Sequence, residues 1–372
     1  MNCKVAVSRC AGYHPALVEE KVRQAVDSLG GLEQFIRPRS KVLVKPNILM
    51  AKPPEAGITT HPEVLRAVIR MLKGLGCFVY VGDSPSVWGK YIENLDEVYG
   101  VSGIKQVCAD EGVMLISLEK RRMRKHFPLA SFLDQCDHLI NLPKFKTHEL
   151  MLMTGAIKNL FGLVSGTFKT ELHKRNFDPE EFAGALVEIY SQAKPSLNIV
   201  DGILAMEGDG PATSGQLRDL NLIIAGSDAV AVDSVMADIM GIKPQDCFTT
   251  REAYRRGLGQ ADLGAIDIVG EGYRDLKIKP FLLPQSSKKI RLAKPVLNLL
   301  SRFIRYYPFV LKRKCLRCLA CVKICPGKCI KLGKRGIVFN YDKCIACFCC
   351  QEACPAAAIR VKKSFLAKMI GL

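Results

Sequence analysis

The feature that most constrains this chain is a repeated run of cysteines toward its C-terminal end. Cys315, Cys318 and Cys321 follow one another at x2 steps, then Cys325 after x3, then Pro326; the run recurs as Cys344, Cys347, Cys350, Cys354 and Pro355. Equivalent positions lie 29 residues apart, which marks an internal duplication. Ten of the 16 cysteines fall between 315 and 354. The other six, Cys3, Cys10, Cys77, Cys108, Cys136 and Cys247, are scattered and read as small buried hydrophobes. The N-terminal stretch lacks an apolar segment with a small-residue cleavage site, so it does not read as a secretory leader. In such a chain dense cysteine points to metal binding rather than disulfides.

The spacing is similar to that of bacterial two-cluster ferredoxins. Three thiolates at x2 steps wrap one corner of an iron–sulfur cube, and the x3 step with its proline turns the chain so that the fourth thiolate reaches the other cube. Two [4Fe-4S] clusters follow. Cluster I takes Cys315, Cys318, Cys321 and Cys354, and cluster II takes Cys344, Cys347, Cys350 and Cys325. Two zinc sites would need only two CxxC pairs each and neither x3-Cys-Pro ending. Cys329 and Cys349 fall outside the pattern and read as free thiols beside the clusters. On this assignment, loss of either Cys350 or Cys325 removes cluster II and spares cluster I.

Charge divides the chain at the same place. Residues 1–287 hold 34 basic and 34 acidic residues, whereas 288–372 hold 20 basic residues and two acids, Asp342 and Glu352. The formal charge of +18 therefore resides in the last quarter. Two four-thiolate clusters at about −2 each would lower it to about +14. A redox partner is expected to be acidic, or a polyanion or anionic surface. This break sets the expected domains: a body over 1–287, a linker over 288–314 and a small α+β ferredoxin-like dicluster domain over 315–363.

The linker carries Val296, Leu299, Leu300, Phe303, Ile304 and Tyr307 at helical spacing, opposite Lys294, Asn298, Ser301, Arg302 and Arg305. Pro308 should end this helix. Its stripe is expected to dock on the body, with peripheral contact to the cytoplasmic face of a membrane as the alternative. No run of about 18 apolar residues is present. The expected location is the cytoplasm.

The body alternates short apolar runs with helical patterns. Strands are expected at 3–8, 41–45, 78–82, 113–118, 137–142, 196–201 and 221–226, and helices at 15–29, 62–75, 102–111, 180–192 and 228–240. Such alternation predicts an α/β body with a largely parallel sheet. Polar loops then fall at strand C-termini, where open α/β sheets bind ligands. Lys45 and Asn47, Asp83, the run Lys144-Phe145-Lys146-Thr147-His148, and Asp201 leading to Glu207 and Asp209 are expected to share one cleft, with the segment holding Lys158 and Asn159 closing over it. Lys45, Lys144, Lys146 and Lys158 suit a small anionic ligand, carboxylate or phosphate. Asp83, Asp201, Glu207 and Asp209 are candidates for a divalent ion or for proton donation. Asp83, His148, Lys158 and Asp201 are the candidate catalytic groups; Lys45, Asn47, Lys144, Lys146, Asn159, Glu207 and Asp209 are candidate binding groups. Taken singly, each has a structural reading as well: Asn47 as a turn residue, Asp83 as a helix cap, His61 as a residue leading into a helix, and the alternating Lys144, Lys146 and His148 as a solvated strand edge.

No GxxxxGK[ST], GxGxxG, GxSxG or HExxH motif is present. Triphosphate hydrolysis, a standard dinucleotide fold, serine hydrolysis and zincin chemistry are therefore disfavoured. Nucleic-acid binding would rest on the basic tail alone, without stacking platforms or reader motifs, and is disfavoured too.

The succession KPN (45–47), TTHP (59–62), GDSP (82–85), LPKFKTH (142–148), GAIKNLFG (155–162), DGI…MEGDGP (201–211) and DAVAVDSV (228–235) resembles domain-of-unknown-function family 362. Members often carry a C-terminal two-cluster ferredoxin domain. The family is distantly similar, at the level of fold, to the N-terminal domain of nickel-pincer lactate racemases. Three functions follow as expectations. The first is an iron–sulfur oxidoreductase passing single electrons to a small anionic substrate in the body. The others are a non-catalytic electron-transfer and docking module, and a cofactor- or metal-handling protein of the racemase-like sort.

Overall fold

The computed structural model describes residues 3–85, 94–164, 168–175, 178–276, 278–284 and 306–364. Its strands, in chain order, are β1 (Cys3–Arg9), β2 (Lys41–Pro46), β3 (Phe78–Val81), β4 (Met114–Leu115), β5 (Arg121–Arg124), β6 (Phe127–Ala130), β7 (His138–Leu142), β8 (Lys144–His148), β9 (Leu152–Thr154), β10 (Leu197–Gly208), β11 (Gly215–Gly226) and β12 (Ile266–Gly270). Beyond the body follow β13 (Tyr306–Val310), β14 (Ile330–Gly333), β15 (Gly336–Phe339) and β16 (Ile359–Lys363).

The main sheet runs β12-β1-β11-β10-β7-β2-β3-β4, with β8 beside β10 and β9 beside β8. Its pairs are parallel except those made by β11 and by β9. Period-2 alternation divides the strand residues between two cores. Val5, Val7, Leu43, Leu222 and Ile224 face the helices Pro179–Ala193 and Ala229–Met240. Ala6, Val42, Val44, Ile223 and Ala225 face the helices Pro15–Asp27, Pro62–Gly74 and Ile104–Asp110. This is an α/β body of three layers. Helix starts follow local chemistry. Asp178 accepts from the amides of Glu180 and Glu181, Asp228 from those of Val230 and Ala231, and His61 from that of Glu63, with Pro62 and Pro179 at N1.

Several elements depart from the sequence reading. The strand expected over 113–118 shrinks to Met114–Leu115. The stretch 144–148, expected as a loop or else as a solvated strand edge, is the buried strand β8, paired in parallel with β10. Residues 201–208, also expected as loop, continue β10, which pairs with β11 as far as Gly208 and Gly215. Polar residues here line the pole of a sheet, so alternation failed as a burial signal. The hairpins β5–β6 and β8–β9 and the strand β12 were not anticipated.

The linker helix also changes. Tyr307 and Pro308 lie in β13, whose antiparallel partner is β16. Proline is tolerated there because a two-stranded sheet leaves one side of each strand unpaired. The dicluster fold thus begins by Tyr306 rather than at Cys315. The remaining stripe residues, 296–304, lie outside the described residues. No described helix is long and apolar enough to cross a membrane.

Candidate redox and ligand site

At the C-terminal pole of the body, a buried lattice forms first. Lys45 Nζ pairs with Asp83 Oδ1 at 2.8 Å and donates to Pro46 O at 3.0 Å and Asn159 Oδ1 at 3.3 Å. Asp83 Oδ2 accepts from the Ile48 amide, and Asn159 also accepts from Asn47 Nδ2. A Cβ at Gly162 would overlap the Asp83 carboxylate and Lys45, so glycine permits this close approach. The Asn159 segment is itself positioned by Asp233, which accepts from the amides of Ala156 and Ile157. Burial pushes the Asp233 carboxyl up to about 7, against those two hydrogen bonds.

A second buried pair sits beside the first. Lys144 Nζ meets Asp201 Oδ2 at 2.7 Å and Tyr13 Oη at 2.8 Å. Asp201 also accepts from Tyr13 Oη, the His61 amide and the Ile203 amide. Tyr13 stacks on His61 with ring centroids 3.6 Å apart. Asp201 was expected as a catalytic group; its oxygens are fully engaged and enclosed, which is the arrangement of a structural ion pair. Glu207 Oε2 accepts from Arg218 and from the Leu282 amide, fixing the 278–284 segment. Asp209 lies elsewhere, 3.7 Å from Arg360. Asp83, Asp201, Glu207 and Asp209 therefore do not converge on one ion; no three of the body's described metal-ligating side chains do.

The remaining groups are less committed. Lys146 is buried and donates to Ile58 O at 2.7 Å. Burial holds its ammonium well below the usual range, helped by nearby Lys158. Lys158, half-buried, makes no hydrogen bond or ion pair among the described residues, and burial lowers its pKa. Asn47 Oδ1 is buried without a hydrogen-bond partner among the described residues. Lys169 adds another buried cation, lowered to about 7 by burial, which donates to Ser84 O. His148 Nδ1 accepts from the amides of Leu150 and Met151, which leaves its proton on Nε2. Burial lowers this imidazole to about 4, so it is neutral at pH 7.

In the C-terminal domain, Cys315, Cys318, Cys321 and Cys354 line one hollow. Cys325, Cys329, Cys344, Cys347 and Cys350 line a second. The duplication extends to the backbone. Arg317 and Ala346, Leu319 and Phe348, and Lys328 and Ala357 are pairs 29 residues apart, and all six have positive φ, between 48° and 64°. Turns of this kind aim amides inward and make anion-binding concavities, suited to thiolate-ligated clusters. Burial and the sulfurs of Cys354, Cys318 and Cys315 push the Cys321 thiol up to about 12. Sulfurs crowded this closely fit a cationic iron core, which would favour their thiolate forms.

The two domains meet at the pole of the body. Glu352, on the short helix Cys349–Glu352, reaches His148 Nε2 at 3.3 Å. Gln351 donates to Asp209 O, and Arg360 donates to Ser214 O at 2.8 Å. Thr213 Oγ1 donates to Cys354 O at 2.7 Å, and Lys52 Nζ to Pro355 O at 3.3 Å. Lys158 is close enough to Glu352 and Cys349 for both to favour its charged form. Glu352 escaped the sequence reading, although its being one of only two acids in the basic quarter was a usable signal. Asp233 lay within a quoted motif without being assigned a role. Tyr13 and Lys169 carried no signal, because only tertiary folding brings them to the pole.

An α/β body closed at one pole by a cysteine-lined domain defines an iron–sulfur protein. The 4Fe-4S dicluster domain family matches residues 308–355. The family described as a domain of unknown function, DUF362, matches residues 42–238, more than half of the chain. The chain is also similar to the thylakoid-associated protein sll1697 of Synechocystis sp., 32% identical over 261 residues that cover 68% of this chain and 79% of that protein. The chain belongs to the DUF362 family and carries a C-terminal 4Fe-4S dicluster domain.

Proposed function

We propose that this protein is an iron–sulfur oxidoreductase that delivers single electrons to a small anionic substrate held where the dicluster domain meets the body. Two [4Fe-4S] clusters would be held by Cys315, Cys318, Cys321 and Cys354, and by Cys344, Cys347, Cys350 and Cys325. They supply one electron at a time. The observation that carries this reading is Lys158, a cation of the body that makes no hydrogen bond or ion pair among the described residues and lies near Cys349 and Glu352 of the cluster II half. Lys146 and Lys158 bind the anion, and Asn47 orients it. His148 holds a proton at Nε2, turned toward Glu352. Lys45, Asp83, Asn159, Lys144 and Asp201 act as scaffold.

An acidic redox partner suits the basic C-terminal quarter. Peripheral membrane contact through 288–314 is supported by that segment's basic amphipathic pattern and by the thylakoid association named for the relative.

Native mass spectrometry of protein purified without oxygen tests the reading. A small anion should stay bound to the wild type and be lost from Lys158→Gln, with iron and sulfide counts equal in both. An iron-free wild type, a wild type with no bound anion, or equal retention by the variant would overturn it.

A further inference from the structure

The two halves of the duplication are not chemically equal. Cys329 corresponds to Ala358, 29 residues on, and Cys349 corresponds to Ala320, 29 residues earlier. Both additional thiols therefore accompany cluster II. They differ in placement. Ala358 lines the hollow of cluster I, and Cys329 lines that of cluster II. The position thus faces a hollow in both halves, and only one half puts sulfur there. Cys329 Sγ lies 3.3 Å from Cys325 Sγ, and its amide donates to that sulfur. The Cys329 thiol also meets Cys344. The side chain is 5% exposed. Five sulfurs thus surround a hollow whose cluster needs four. Cys349 does not line that hollow; its thiol bonds to Cys347 and lies near Lys158.

We infer that Cys329 is a standby iron ligand of cluster II, placed to take the coordination site of Cys325 when that residue is lost or released. The inference rests on the two-cluster reading above. In the exchange, the Cys329 thiol gives its proton to solvent and its thiolate fills the vacated iron site. A released Cys325 thiolate takes up a proton. Four thiolates remain, the cluster charge is unchanged and no electron moves. Cys325 and Cys350 are then unequal, although spacing alone treats them alike. Cys350 has no comparable substitute, because Cys349 does not line the hollow.

The experiment is anaerobic purification of full-length wild type, Cys325→Ala, Cys329→Ala, Cys325→Ala/Cys329→Ala and Cys350→Ala, with iron and sulfide counts and electron paramagnetic resonance of the reduced proteins. Alanine is chosen at 325 because serine could itself ligate. The wild type should hold about eight iron atoms per chain. Cys329→Ala and Cys325→Ala should each keep that number, the latter with a shifted cluster II signal. The double variant and Cys350→Ala should lose about half of the iron and keep the cluster I signal, which reports that the domain is still folded. A twofold loss of iron in Cys325→Ala alone would overturn the inference. So would a double variant that keeps as much iron as Cys325→Ala, or a Cys350→Ala that keeps cluster II. A wild type without iron would instead overturn the two-cluster reading.

Discussion

At the scale of single residues, the pole of the body separates charges paired within the fold from charges that are less committed. Lys45 and Lys144 spend their ammonium protons on buried carboxylates. Lys158 makes no hydrogen bond or ion pair among the described residues, although Glu352 and Cys349 lie close enough to favour its charge. Asp233 is the buried carboxyl on which the Lys158 segment depends. Its folded-state pKa of about 7 stands above the ordinary 3.8, so the folded protein keeps this proton longer than the unfolded chain does. The stability this group contributes is complete below about pH 4 and is lost as pH rises through about 7, at no more than about 1.4 kcal/mol per pH unit. In chemical denaturation between pH 4 and 7, the stability difference between wild type and Asp233→Asn should change with that slope; parallel curves would refute it.

At the scale of elements, the duplication is a repeat of conformation as well as of sequence. Six non-glycine residues at positive φ carry a cost of roughly 1 kcal/mol each, sustained by the loops that bring the thiolates together. Ala346→Gly and Ala357→Gly relieve that strain while leaving the cysteines in place. They should slow cluster loss in guanidinium, followed by bleaching of the cluster absorbance. Ala346→Val, β-branched at the same φ, should speed it. If valine is tolerated as well as glycine, the backbone is not under strain there. Elsewhere, long elements were the more legible ones. The helices Pro62–Gly74 and Pro179–Ala193 start at prolines and end within a residue of expectation. The burial of β8 was hidden because lysines and a histidine stand where apolar residues usually mark a buried strand, and the far half of β10 because Gly202 and Gly208 frame it as a loop.

At the scale of the whole molecule, the dicluster domain closes the pole of the body rather than hanging from it. Its contacts are mostly polar: Glu352 with His148, Arg360 with Ser214 and Asp209, Thr213 with Cys354 O. A specific protease site inserted within 288–300 provides the test. After cleavage, the two halves of the wild type should elute together from a sizing column at micromolar concentration. With Arg360→Glu, which sets a carboxylate against Asp209, they should separate at least in part. Separation of the cleaved wild type would mean that the contact does not hold by itself.

The sequence by itself determined the iron–sulfur domain, the charge division and the α/β class. Each rests on a local pattern: thiol spacing, a run of basic residues, the alternation of strand and helix. Which lysines are left unpaired, which thiol stands spare, and where Glu352 points were decided only in three dimensions. Those properties depend on distances between residues far apart in the chain. Lys158 and Glu352 become neighbours only when the body and the cysteine-rich domain fold against each other, and no spacing rule encodes that contact.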